Sequence, residues 1–246
     1  AVVLADGTVQ AWGYSGYGLL NPPDNLTNVL AVALGYGHAV ALHDSGTVSA
    51  WGYNGYGQCT VPAGLLDVVA IDASDENSLA LRADGSVTVW GYDGHALNTP
   101  PADLTNAVAA CLGNYHALAV RADGTVTAWG YNDQGQCNVP AGLTGVVAVA
   151  GGYYHSLALT ADGQVTAWGY NGSGQCTVPG GLSNVVAIAA GEYHSVALTV
   201  DGRVFAWGAN GEGQCNLPPG LPPVAAIAAA GDHTLLRYGI PTPATF

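Results

Sequence analysis

The sequence predicts an all-β protein: a six-bladed β-propeller of four-stranded antiparallel blades, with the ring closed by pairing of the N- and C-terminal strands. Three observations carry this. Trp-Gly recurs at Trp12, Trp51, Trp90, Trp129, Trp168 and Trp207, a constant interval of 39 residues. Within each copy, apolar and polar residues alternate over short runs, the period of a strand. The chain also starts at the third strand of a copy ("GTVQAWG") and ends after the second ("VAAIAAAGDHTLL"), so its two ends complete one copy between them.

The elements follow in order within one copy. "VVAVA" from Val146 is a small apolar strand, and "SLALT" from Ser156 is an alternating one. "ADG" is a tight turn whose Gly supplies the positive φ a hairpin needs. Its equivalents are Asp6, Ser45, Asp84, Asp123, Asp162 and Asp201, each followed by Gly. "QVTAWGY" from Gln164 is the third strand, and "NGSGQ" is a second Gly-rich turn. "CTVP" from Cys176 reads as a short fourth strand, with Pro179 at an outer edge where no ladder donor is needed. "GGLSN" leads to the next copy. One domain is expected over 1–246, with 1–28 and 224–240 sharing the closing blade. Ala1 to Leu4 and Leu235 to Tyr238 occupy the same repeat position, so one of them must pair irregularly.

Composition excludes several functions. Hydrophobic residues make up 49% and charged residues 9%, too apolar for disorder. The cations are Arg82, Arg121, Arg203 and Arg237; against 17 acids they leave a net charge of −13. Such a surface repels phosphate, so neither nucleic acid nor an anionic membrane is an expected partner. No apolar run is long enough to span a bilayer, and no membrane insertion is expected. No signal peptide is present and the chain begins in mid-repeat, as a processed or excised form would. A monomer is expected.

Periodicity also disposes of the tempting motifs. His38, His116, His155, His194 and His233 share one slot, with Asn77 in the third copy. Positions repeated around a ring are too far apart to ligate one ion, so these are expected to brace turns, and no metal is expected. His155-Ser156 is no nucleophile pair, because neighbours on a strand point to opposite faces. The Asp-Gly turns lack the spacing of a calcium loop. The Trp series suits packing between blades. Cys59, Cys137, Cys176 and Cys215 share a slot that holds Leu20 in the first copy, which predicts free, buried thiols. Asn25-Leu-Thr and Asn171-Gly-Ser fit the glycosylation sequon, which matters in a eukaryotic secretory host. No cofactor is expected, no catalytic residue is identified, and the chain is read as a non-enzyme.

A binding face is nevertheless predicted. Antiparallel strands bring the turn after strand one and the turn after strand three to the same end of a blade. The inner turns carry Tyr36, Asn114, Tyr115, Tyr153, Tyr154, Glu192, Tyr193 and Asp232 with the His series. The outer turns carry Tyr14, Tyr53, Tyr92, Tyr131 and Tyr170 with Asn54, Asn132, Asn171 and Asn210. Tyr and Asn on rigid turns suit protein recognition. The third copy breaks the pattern with "SDEN" at 74–77 and "DGHALN" at 93–98. Asp72, Asp75, Glu76, Asp93 and His95 would then form one sector, either a binding sector or drift in a tolerant blade.

"GYYHSLALTADGQVTAWGYNGSGQC" (152–176) resembles the repeat of the regulator of chromosome condensation family, G-x-x-H-[ST]-x-A-L, D-G-x-V, W-G-x-N-x-x-G-Q. The short repeat and the "VPAGL" connections look closer to its secreted bacterial branch, which includes the propeller-type β-lactamase inhibitory protein. The resemblance implies a propeller that binds another protein with one face, at an extracellular or cell-surface bacterial location. Within it, an enzyme inhibitor and an adhesion or scaffold module are both open. A glycan- or small-ligand-binding, lectin-like propeller is the alternative. Well-known members have seven blades where this sequence counts six, and its negative charge speaks against chromatin.

Overall fold

The computed structural model describes residues 1–13, 15–23 and 26–239. Tyr14 and Asn25 lie outside them. The chain divides into two compact units, Ala1–Leu112 and Gly113–Phe246. Both are built of antiparallel β-hairpins, and the helical content of the described residues is a single 3₁₀ turn, Gly16–Gly18.

In the first unit the strands are β1 (Val2–Val3), β2 (Val9–Gln10), β3 (Val29–Leu34), β4 (His38–His43), β5 (Val48–Gly52), β6 (Val68–Ser74), β7 (Asn77–Arg82), β8 (Val87–Gly91) and β9 (Ala107–Leu112). Sheets β3-β4-β5 and β6-β7-β8 are three-stranded. The second unit holds β10 (His116–Arg121), β11 (Val126–Gly130), β12 (Val146–Gly151), β13 (His155–Thr160), β14 (Val165–Gly169), β15 (Val185–Ala190), β16 (His194–Thr199), β17 (Val204–Gly208), β18 (Val224–Ala230) and β19 (His233–Tyr238). Here β12-β13-β14 and β15-β16-β17 are three-stranded.

The middle strand of each sheet is buried along nearly its whole length, in β13 from His155 to Leu159. Its two faces meet different neighbours. Leu157 and Leu159 pack with Leu182, Val185, Ala197 and Trp207, which puts a core between successive sheets. Burying both faces is why "HSLALT" alternates Leu with Ala: the bulk goes to one interface and the close approach to the other. The Trp side chains lock the same interface, except Trp12, which was expected to pack likewise and is 67% exposed. Trp168 and Trp207 are buried, and their indole N–H groups donate to the carbonyls of Gln136 and Gln175, at 2.8 and 2.9 Å.

The Asp-Gly turns form as read. Asp84 and Asp123 each accept the backbone N–H two residues on, at 2.9 Å. Gly85, at φ +80°, lies so close to the next connection that a Cβ there would meet Asn106 Cα at 2.8 Å.

Among the described residues the expected fourth strand is not formed. In "CTVP" the backbone donors are consumed locally: Cys176 N–H by the Asn171 side chain, Thr177 N–H by Gly174 and Val178 N–H by Cys176. Pro179 has no donor, so nothing remains to build a ladder. The single sheet expected to be shared by 1–28 and 224–240 is also not formed among the described residues. β1 spans two residues and pairs with β2, and β18 pairs with β19, as separate two-stranded sheets.

Candidate protein-binding face

The two Tyr-bearing turns lie at the same end of a sheet. In β13-β14, His155 pairs with Gly169, and the Tyr170 N–H donates to the Tyr154 carbonyl at 2.8 Å. The same bond joins Tyr131 to Tyr115 at 2.9 Å and Tyr53 to Gly37 at 2.7 Å. Each inner turn is also tied to its neighbour, as Tyr153 N–H to Glu192 O and Glu192 N–H to Gly231 O, both 3.0 Å. The outer turn is braced by side chains. Asn171 Oδ1 accepts the Cys176 N–H at 2.8 Å, Asn171 Nδ2 donates to Thr177 Oγ1 at 3.2 Å, and Gln175 Oε1 accepts the Ser173 N–H at 3.0 Å. Asn54, Asn132 and Asn210 make the same backbone bond. These Asn residues, read from the sequence as contacts, are scaffold.

The His series is scaffold too. His38, His116, His155 and His194 are fully buried and have no surface to offer a partner. His155 Nε2 lies 3.1 Å from Ser195 Oγ, whose hydroxyl donates to the Gln175 carbonyl at 2.9 Å, the same oxygen that takes the Trp207 indole. His38 with Ser78 and His116 with Ser156 repeat this at 3.0 and 2.9 Å, and His194 pairs with Thr234 at 3.0 Å. Burial pushes the imidazoles down, to about 4 in His38 and His155 and to about 3 in His116, which the neighbouring His155 depresses further. Among the described residues no group of three metal-ligating side chains is present.

The thiols of Cys59, Cys137, Cys176 and Cys215 are free and half-buried, and each donates to the carbonyl of residue 53, 131, 170 or 209. Burial raises Cys59, Cys137 and Cys176 to about 11, so they stay protonated at neutral pH.

What remains at the surface is tyrosine. In the second unit Tyr115, Tyr131, Tyr153, Tyr154, Tyr170 and Tyr193 form one continuous array. Tyr153 stacks on Tyr193 at 5.3 Å between centroids and meets Tyr154 edge-on at 4.4 Å. Tyr115 stacks on Tyr154 at 5.9 Å, Tyr131 lies 5.6 Å from Tyr154, and Tyr170 meets Tyr193 edge-on at 6.2 Å. The Tyr115 and Tyr153 hydroxyls are 3.1 Å apart. Burial, with neighbouring phenols, raises Tyr154 to about 12, so it stays neutral. Gln134, Tyr154, Tyr170, Ser173 and Tyr193 line an open pocket of about 380 Å³. Asn114 is half-buried, and its backbone N–H donates to Gly152 O at 3.1 Å. Asp232 accepts from Gln214 Nε2 at 2.8 Å, and His233, unlike its buried equivalents, is exposed.

In the first unit Tyr17, Tyr53, Tyr56, Tyr92 and His95 form a second ladder, with centroid separations of 4.8, 6.0, 5.2 and 6.3 Å. Asp75 and Glu76 sit beside it, and the Glu76 charge is the main cause of an upward shift in Tyr56. Tyr36 stands apart from the ladder, 77% exposed. The break at 74–77 changes the backbone: Ser74 pairs directly with Asn77, leaving a two-residue turn with Asp75 at φ 42°. Asp72 is not in the surface sector. Its carboxylate accepts the backbone N–H groups of Ala73 and Leu112 at 2.9 and 2.8 Å, and burial raises it to about 6.

Tyr17, Tyr56, Gln134 and Ser173 were not singled out in the sequence. They share one slot, filled by Tyr17, Tyr56, His95, Gln134, Ser173 and Glu212 through the six copies. A position that varies freely inside an otherwise constant turn is the signal that finds them.

Fold and face together define an all-β repeat protein of propeller blades with an aromatic surface. Four segments, 29–58, 107–136, 146–175 and 185–214, match the model of the regulator of chromosome condensation (RCC1) repeat, so the chain contains RCC1-like repeats. It is similar in structure to Prp20p of Saccharomyces cerevisiae, described with binding to Gsp1p and histones, at 24% identity and a TM-score of 0.74, over 87% of this chain and 70% of that one. It is similar to yeast RCC1 (Prp20) as bound by Kap60, at 25% identity and 0.71, over 87% and 68%. Human WBSCR16 is similar at 21% identity and 0.72, over 89% and 75%. The shared fold is that of the RCC1 β-propellers. No curated protein matches in sequence.

Proposed function

We propose that this chain is a non-enzymatic, protein-binding RCC1-type propeller that engages its partner through the tyrosine face. The observation that carries this is the continuous six-tyrosine array of the second unit, held on turns braced by backbone and side-chain hydrogen bonds. Rigid aromatic side chains supply contact area at low entropic cost. The recorded partners of Prp20, namely Gsp1p, histones and Kap60, support protein binding as the role. Buried, neutral imidazoles and protonated thiols favour binding over catalysis, because an acid, base or nucleophile needs access and a matched pKa. The six indel-free copies support six blades in one closed ring. By resemblance to the secreted bacterial branch, the location is extracellular. Inhibition of a secreted enzyme is the narrow form of the role, and adhesion or scaffolding is the broad one.

The test is capture of partners from the extracellular milieu on immobilised protein, with mass spectrometry, beside Tyr154→Ala and Tyr193→Ala. Each substitution is expected to weaken capture of a specific partner at least about tenfold, the size of an aromatic hot spot. Capture unchanged by both would place binding elsewhere.

A further inference from the structure

The pocket of about 380 Å³ in the second unit has a one-sided chemistry. Three of its five lining side chains are tyrosines, from the inner turns (Tyr154, Tyr193) and an outer turn (Tyr170), with Gln134 and Ser173 as the polar lining. Tyr170 and Tyr193 are inclined at 74°, so they present a ring face and a ring edge as adjoining walls. Two of the phenols are pushed up and stay protonated: burial raises both Tyr154 and Tyr193, with further contributions from neighbouring phenols and, at Tyr193, from the Glu192 and Asp232 charges.

Charge is sorted along the strands. The same turns carry Asp133, Glu192, Glu212 and Asp232. Every arginine of this unit lies at the other strand end: Arg121 at the end of β10, Arg203 just before β17 and beside Asp201, and Arg237 near the end of β19. Lysine is absent from the chain. The tyrosine end of the unit is thus aromatic and anionic with no internal cation. Aromatic faces attract cations through their quadrupole, and carboxylates nearby add to the same field.

We propose that this pocket seats the cationic head of an arginine side chain, presented by a basic segment of the partner. The proposal rests on the protein-binding reading above and gives the partner a chemistry. Arginine suits the walls better than lysine, because its planar guanidinium stacks on one ring while its edge donors reach the Gln134 amide oxygen, the Ser173 hydroxyl and the phenol oxygens.

The test titrates the whole chain, with ¹³C-labelled tyrosine rings followed by NMR, using acetyl-Gly-Arg-Gly-Arg-Gly-amide. The control is the same peptide with citrulline, a neutral isostere, in place of arginine. A panel of methyl glycosides forms a third arm. The expected result is saturable shifts of the Tyr154, Tyr170 and Tyr193 rings with the arginine peptide, at least about tenfold tighter than with citrulline. Tyr193→Phe keeps the π face and should retain binding, whereas Tyr193→Ala should lose it. Equal binding of the citrulline peptide, or shifts from glycosides alone, overturns the proposal. If the arginine peptide fails while Tyr154→Ala still abolishes capture of a protein partner, this inference falls and the face remains. If capture also survives, both fall.

Discussion

At the scale of single residues, the repeat's G-x-x-H spacing is a steric lock. A Cβ on Gly35, Gly113, Gly152 or Gly191 would lie 2.1 to 2.3 Å from the imidazole Cε1 of the His three residues on, so only Gly lets the ring tuck beneath its own turn. Where Gly gives way to Ser74 or Ala230, the turn closes as a two-residue hairpin, and residue 77 is Asn while His233 is exposed. Gly152→Ala should therefore cost about 1–3 kcal/mol, the range for overpacking a tight site, readable as a lower midpoint in urea. The buried imidazoles also set an acid limit. Their folded values, about 3 to 4, lie below the unfolded 6.5, so the unfolded chain takes up the proton first. Stability should be complete above pH 6.5 and fall as the pH drops from there toward 4. Asp72 acts with the opposite sign, since its raised value of about 6 favours the folded state only below that pH, but it is one group against several. A thermal midpoint flat between pH 7 and 4.5 would contradict buried neutral His. The sequence showed that His repeats and that Gly precedes it. The lock itself depends on a contact across the turn, and no single copy's text displays that.

At the scale of elements, the strands and the Asp-Gly hairpins were legible because period and turn chemistry agreed in every copy. The fourth strand was misread because "CTVP" has strand-like residues, while its donors are taken by the turn before it. The outer Asn residues were misread for a related reason: a polar side chain on an exposed turn looks the same in sequence whether it faces a partner or its own backbone. This makes Asn171 a bracing residue with a measurable signature. Asn171→Ala removes the acceptor for the Cys176 N–H and should cost about 0.5–1.5 kcal/mol. It should also free the thiol now held against the Tyr170 carbonyl, so Cys176 should react with a disulfide reagent several-fold faster than in the unaltered chain. An unchanged labelling rate would mean the turn stands without that bond.

At the scale of the whole molecule, a net charge of −13 with no lysine predicts association that is steered by charge. For a basic partner the association rate should fall several-fold between about 0.05 and 0.5 M salt, with a smaller change in the dissociation rate, measurable by surface plasmon resonance. An association rate indifferent to salt would argue for a neutral partner. The His–Ser bonds have a consequence at this scale too. Each joins a copy to the next, at a spacing of 40 residues, across the copy boundary. In sequence the partners vary together: Ser78, Ser156 and Ser195 follow copies with His and Gln, whereas Ala39 and Ala117 follow the Leu19 and Leu97 copies. The inherited unit is therefore the junction between two copies rather than the copy itself. Unequal exchange within the gene can lengthen or shorten the array only where the breakpoint carries both halves of a junction together. An exchange that separates them leaves an imidazole buried without its hydroxyl, and selection on stability would remove it.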